Sequence, residues 1–220
     1  IAVMKAKLGF ARKGIRGANA LRKNLQTIRS HQNDWPKAAA FSVNEFIIWP
    51  SEREYSNCKN LAVKADIWPE TKKYLLAYLD NGTLPWENPD WPLPDTVLPR
   101  PAGNDTIKFP HIRLLIDLAI FDDEPERVLY WWDRKIENHT EYHYLGDYSK
   151  VAEALRSCAP LRAASIWQRM AESQIGKVKA SAYEIAARYL QEAKQVLTSE
   201  NRLEDWNLYY KALKRTHKRK

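Results

Sequence analysis

An acidic residue set just ahead of an aromatic, at the head of an amphipathic run, recurs along this chain as Asp34-Trp35, Asp66-Ile67-Trp68, Asp147-Tyr148 and Asp205-Trp206. A short acidic side chain before an apolar periodic run is a helix-start signal, because its carboxylate can accept from a backbone N–H that the first turn leaves unpaired. The aromatic that follows can pack between neighbouring helices. Runs such as Tyr74-Leu75-Leu76-Ala77-Tyr78-Leu79 and Tyr209-Tyr210-Lys211-Ala212-Leu213 come after most copies. Repetition of one such signal predicts an all-α chain of stacked helical hairpins. It predicts no chemistry.

Composition agrees with that class. The 220 residues can bury a sizeable core, and seven glycines are too few for a turn-dense β fold. No run of 18 apolar residues occurs, so no membrane helix is expected. The opening Ile1-Ala2-Val3-Met4 lacks the apolar core and small-residue cleavage site of a signal peptide, and a start at Ile1 reads as a piece of a longer protein or as residual extra residues ahead of Met4. Cys58 and Cys158 stand far apart with no CxxC pair, as expected of reduced thiols in a cytoplasmic protein.

Charge is segregated. Residues 1–33 hold Lys5, Lys7, Arg12, Lys13, Arg16, Arg22, Lys23 and Arg29 with no acid, and residues 211–220 hold Lys211, Lys214, Arg215, Lys218, Arg219 and Lys220 with no acid. These fourteen cations exceed the chain's net charge of +8, which leaves residues 34–210 at −6. The basicity belongs to the two ends.

The pattern divides into 1–82, an N-terminal set of helical hairpins with a basic start, then 83–110, a Pro/Trp-rich loop, then 111–220, C-terminal helical repeats with a basic tail, and one continuous repeat domain is expected. Helices are expected over 2–14 and 18–31, the latter with a stripe of Leu21, Leu25 and Ile28, and over 35–48, stopped by Pro50. Ser51 with Glu54 forms a capping box, and Asp123 with Glu126 and Asn201 with Glu204 are read as further caps. Asn81-Gly82 ends the helix opened at Asp66-Ile67-Trp68. Seven of the twelve prolines fall in 83–110, a density that excludes helix and central strand. The strongest helix is 180–198, with Ala182, Ile185, Ala186, Tyr189, Leu190, Ala193, Val196 and Leu197 on one face.

The C-terminal third carries Ser165-Ile166-Trp167-Gln168-Arg169-Met170-Ala171-Glu172, then Ser181-Ala182-Tyr183-Glu184-Ile185-Ala186-Ala187-Arg188-Tyr189-Leu190, Leu203-Glu204-Asp205-Trp206 and His217-Lys218-Arg219-Lys220. This series resembles the C-terminal helical-repeat region of bacterial SWIM zinc-finger proteins and their uncharacterised relatives, over roughly residues 110–220. The resemblance implies a TPR-like α-solenoid of bacterial origin. The family's zinc motif, CxCx(n)CxH, has no counterpart here, so its metal and any DNA or protein binding carry over to no residue of this chain.

Local constellations point mostly to structure. His139 and His143 have the spacing of two metal ligands, but Glu141 does not sit where HExxH requires, and no third ligand is evident. The acidic cluster Asp122, Asp123, Glu124 and Glu126 suits a helix N-terminus. No nucleotide-binding or nucleophile motif occurs, so the expectation is a non-catalytic interaction or scaffold module without cofactor, binding a protein partner. The alternative is nucleic-acid binding through the basic ends. Lys211, Lys214, Arg215 and Lys218 share a helix face, and Arg12, Lys13, Arg22 and Lys23 offer a second surface. Trp86 and Trp91 either pack the proline loop onto the body or present it to a partner.

Overall fold

The computed structural model describes residues 20–103, 106–137 and 148–217. Among these the secondary structure is helical throughout, with no strand. The helices are α1 (20–31), α2 (Trp35–Ile48), α3 (Glu52–Lys64), α4 (Trp68–Asn81), α5 (Ile112–Phe121), α6 (Pro125–Glu137), α7 (Tyr148–Leu155), α8 (Pro160–Ile175), α9 (Ala180–Ser199) and α10 (Leu203–His217). The all-α expectation therefore holds. Two compact units divide the chain, Ile1–Leu115 and Ile116–Lys220.

In the first unit α2 is the hub. Its ten residues from Ala38 to Ile47 are all buried, as its nearly unbroken apolar sequence requires. Three of them are polar, and each is met by a different element. Ser42 Oγ lies 3.3 Å from Cys58 Sγ on α3. Asn44 donates to Thr96 Oγ1 in the proline loop at 3.3 Å. Glu45 faces Arg22 of α1 at 3.6 Å. From α4, the Tyr78 hydroxyl donates to the Ile47 carbonyl at 3.0 Å. α2 packs on α3, and α3 on α4. The expected stripe on α1 is only partly used, with Leu21 and Ile28 largely exposed and Leu25 half-buried.

In the second unit each helix from α6 to α10 packs on the next. Arg156, just past α7, ties three of them. It donates to Glu153 at 3.0 Å and to Glu192 of α9 at 2.5 Å, while its guanidinium lies 4.8 Å from the Trp167 ring of α8. α9 buries Ala182, Ala186 and Ala193, small side chains that allow a close approach. The expected stripe is narrower than its sequence suggests, because Ile185 stays partly exposed.

One junction recurs in both units. Asn33, Asp66, Asp123 and Asn201 all have positive φ, between 55° and 58°. Each donates its N–H to the carbonyl three residues back, and the next residue donates to the carbonyl five back. The second bonds are Asp34 to Arg29 at 2.9 Å, Ile67 to Ala62 at 3.0 Å, Glu124 to Ala119 at 2.9 Å and Arg202 to Leu197 at 2.7 Å. That pair of bonds is the Schellman closure of a helix. The residue after it is at once the N-cap of the next helix, its carbonyl accepting from Ala38, Thr71, Val128 or Trp206 at 3.0–3.2 Å. Asn and Asp suit the left-handed position because their short polar side chains tolerate it.

This geometry corrects three caps read from the sequence. Asp66, Asp123 and Asn201 close the preceding helix rather than capping the following one; the N-caps are Ile67, Glu124 and Arg202. Two residues are the N-caps they were read to be: Asp34 accepts from Lys37 N–H at 3.4 Å, and Ser51 accepts from Glu54 N–H at 3.3 Å, which is one half of the expected capping box. Asp205 lies within the first turn of α10 and pairs with Arg202. Asp147 is outside the described residues. Gly82 closes α4 at φ +84°, and a Cβ there would meet the Phe109 ring at 2.9 Å, so both backbone and packing require glycine.

The turn between α8 and α9 breaks the rule, with Val178 at φ +52°. A β-branched residue in this region is strained. Because Val178 is 52 % exposed, little packing is lost on replacement. Val178→Asn, the residue used at two other junctions, is expected to raise stability by about 1 kcal/mol. Urea denaturation midpoints at unchanged slope provide the measurement.

Candidate functional site

Core residues and partly exposed aromatic and basic side chains come together along α9 and α10. Tyr183 and Leu190 are seven residues apart on α9, and Tyr210, Leu213, Lys214 and His217 follow a matching i, i+3, i+4, i+7 face on α10. Two helical faces of that period run side by side for about 10 Å. With Ile175 from the end of α8, and with Lys211 and Arg215, they enclose a groove of about 610 Å³.

Its floor continues the local core, in which Ala171, Ile175, Ala186 and Leu213 are buried and Tyr189, Leu190 and Tyr209 pack against them. Tyr209 is held by its hydroxyl, which donates to the Gln168 carbonyl at 3.4 Å. Burial, with Glu172 adding to it, pushes the Tyr209 pKa up, so the phenol stays a neutral donor. The walls are Tyr183 and Tyr210, 40 % and 38 % exposed. Tyr210 is fixed from behind by stacking on Trp206, with ring centroids 5.4 Å apart. The Lys214 ammonium sits 4.4 Å from the Tyr210 ring centroid, a cation–π contact that places charge over the apolar wall. Lys211 and Arg215 complete a basic lip, and no carboxylate belongs to the lining among the described residues. His217 Nδ1 is buried and without a hydrogen-bond partner among the described residues.

The expected cationic residues have different fates. Lys211, Lys214 and Arg215 are brought together at this groove, and Lys214 and Arg215, in the last turn, also complement the C-terminal dipole of α10. Lys218, Arg12 and Lys13 lie outside the described residues, as does His139–His143. Arg22 does not face solvent: its side chain is 12 % exposed and turned onto the buried Glu45, and so serves to dock α1. Lys23 is exposed, beside a polar recess formed with Arg53, Glu54 and Asn57.

Trp86 and Trp91 are half-buried rather than displayed. Trp91 meets Tyr74 edge-on at 5.5 Å, and Arg100 lies 5.6 Å from the Trp86 ring. Both rings close against Ala40, Val43 and Asn44 of α2, with Pro85 and Leu93 of the loop buried as well. The loop is therefore packed onto the first unit. What the sequence missed are the groove's apolar members. Tyr183 and Leu190 stand out only when the seven-residue spacing on α9 is matched to that on α10.

No group of three or more metal-ligating side chains occurs among the described residues. No described helix is long and apolar enough to cross a membrane. Cys58 is buried and its pKa is pushed up to about 12, chiefly by burial, which makes it an unreactive thiol. Comparison with protein-family models, with curated proteins and with solved structures finds no match for this chain.

The Arg22–Glu45 pair supplies two tests. Arg22→Ala removes the ion-pair partner of a buried carboxylate and is expected to cost roughly 3 kcal/mol, whereas Lys23→Ala, which removes only a more distant charge acting on Glu45, is expected to cost less; calorimetric melting separates them. Burial, the dominant influence, raises the Glu45 pKa above its ordinary value of 4.5, with Arg22 opposing it. A raised pKa means that the folded state holds this proton more tightly. The stabilisation is complete below the unfolded-state pKa and is lost as pH climbs through the folded value. The stability of wild type relative to Glu45→Gln should therefore fall as pH rises above about 4.5, then level off. Denaturation of both proteins across that range gives the curve.

Proposed function

We propose that this chain is a non-catalytic helical-repeat interaction module, TPR-like in its hairpin construction, and that its C-terminal groove receives a segment of a partner protein. The observation that carries the reading is the groove itself, with an apolar floor, two tyrosine walls and a lip of Lys211, Lys214 and Arg215 without a lining carboxylate. An amphipathic helix laid into a groove is a recurrent mode of peptide recognition. Charge complementarity selects one whose aliphatic knobs are flanked by Asp or Glu. Support for the repeat construction comes from the shared helix-to-helix junction and from helices that pack on their sequence neighbours. The C-terminal motifs that resemble the SWIM zinc-finger relatives include Tyr183 and Leu190, which gives those positions a binding duty in this reading.

The probe is a fluorescein-labelled amphipathic helix with Leu at i, i+3 and i+7 and Glu on its flanks. Wild type is expected to bind it, and the double change Tyr210→Ala with Lys214→Glu should weaken binding at least tenfold, about 1.4 kcal/mol. Both side chains are exposed, so the fold should survive, as far-UV circular dichroism will check. Equal binding of a Lys-flanked helix, or indifference to the double change, would sink the assignment. Binding of DNA or RNA with a log-linear salt dependence, and not of the acidic helix, would transfer these cations to the nucleic-acid alternative.

A further inference from the structure

A second recess lies wholly in the first unit and has a different chemistry. It measures about 780 Å³ and is formed where the start of α3 meets the segment leading into α5. Trp49, Pro50, Ile107, Pro110 and Ile112 supply an apolar surface, and charge comes from two stretches of chain, Arg53 on one and Lys108 and Arg113 on the other. Among the described residues Glu54 is the one carboxylate in the lining, so these charged side chains sum in favour of the cations.

We propose that this recess binds a nucleotide, a phosphate ester carried on a flat aromatic base. Several independent features converge on that class. The N-terminal ends of α3 and α5 both contribute to the lining, through Ser51 and Arg53 on one side and His111 to Arg113 on the other. Helix N-termini present partial positive charge and N–H groups that suit a phosphate. His111 is held by its own backbone, whose N–H donates to the Leu79 carbonyl at 2.7 Å. Its Nδ1 accepts from Leu114 N–H at 3.3 Å, which places the ring proton on Nε2 as a donor.

Trp49 identifies the rest of the ligand. It terminates α2, whose preceding residues are buried, yet it is 57 % exposed and part of the recess. An indole left in water next to a cationic cluster is a stacking platform for a base, a contact that every base can make through its flat face. The volume falls within the roughly 300–1,000 Å³ of small-ligand sites. Such a nucleotide could be free or could belong to a single strand; the chemistry recognised is the same. Nothing here depends on the α9–α10 groove.

Calorimetric titration of the full chain with AMP and with inorganic phosphate at low salt, and anisotropy of a labelled single-stranded dodecamer, test the proposal. AMP should bind more tightly than phosphate. Trp49→Ala and Lys108→Glu, both at exposed positions, should each weaken AMP at least tenfold, while Lys214→Glu in the other unit leaves it unchanged. Dodecamer binding that AMP competes away identifies a nucleotide within a strand. AMP binding without dodecamer binding identifies a free one. No binding of AMP at millimolar concentration overturns the proposal. So does AMP binding that is insensitive to Trp49→Ala, or that is no tighter than phosphate.

Discussion

The structure turns on a three-residue economy of backbone hydrogen bonds between helices. A helix end leaves carbonyls unpaired and a helix start leaves N–H groups unpaired. At four junctions one left-handed Asn or Asp closes the first helix, and the very next residue opens the second. Both ends are satisfied within a connection of three residues, so few loop residues have to be ordered. At two of these junctions the joined helices also pack on each other, α3 on α4 and α9 on α10.

Within that frame the first unit is organised by what α2 cannot leave unpaired. A helix buried along ten residues has no solvent to satisfy Ser42, Asn44 or Glu45. Their partners come from α3, the proline loop and α1, so the polar positions of the core specify which elements surround it. This explains why the loop is packed despite its prolines. It also explains why Arg22, part of a basic stretch in sequence, belongs to the interior in space. Burial raises the pKa of Glu45, yet the Arg22 guanidinium opposes the shift and anchors α1.

The second unit turns spare helical face into a groove. Small alanines on α9 bring the helices close, while Tyr183 and Tyr210 stay partly exposed beside Leu190, which packs on the core and forms the floor between them. The Lys214 ammonium over Tyr210 gives the wall both an apolar and a cationic character. Half of this site was legible beforehand: Lys211, Lys214 and Arg215 share a helix face by spacing alone. Tyr210 was read only as part of a helical run and Tyr183 only as part of a motif, because the sequence contains no signal for which aromatic face a neighbouring helix will cover.

The sequence by itself determined the secondary structure. Apolar periodicity, the Ser51 and Asp34 caps and the Asn81-Gly82 stop act within a turn or two of chain, and such local hydrogen bonds and propensities need no distant partner. Only the tertiary structure decided the role of each polar residue. The same acid-aromatic pair is a cap at Asp34, a left-handed closure at Asp66 and a first-turn ion pair at Asp205, because its register depends on where the preceding helix ends. Likewise Arg22 and Lys214 are both cations in basic stretches. One is buried and one lines a groove, because burial is set by contacts with residues distant in sequence, here Glu45 in one case and the face of α9 in the other.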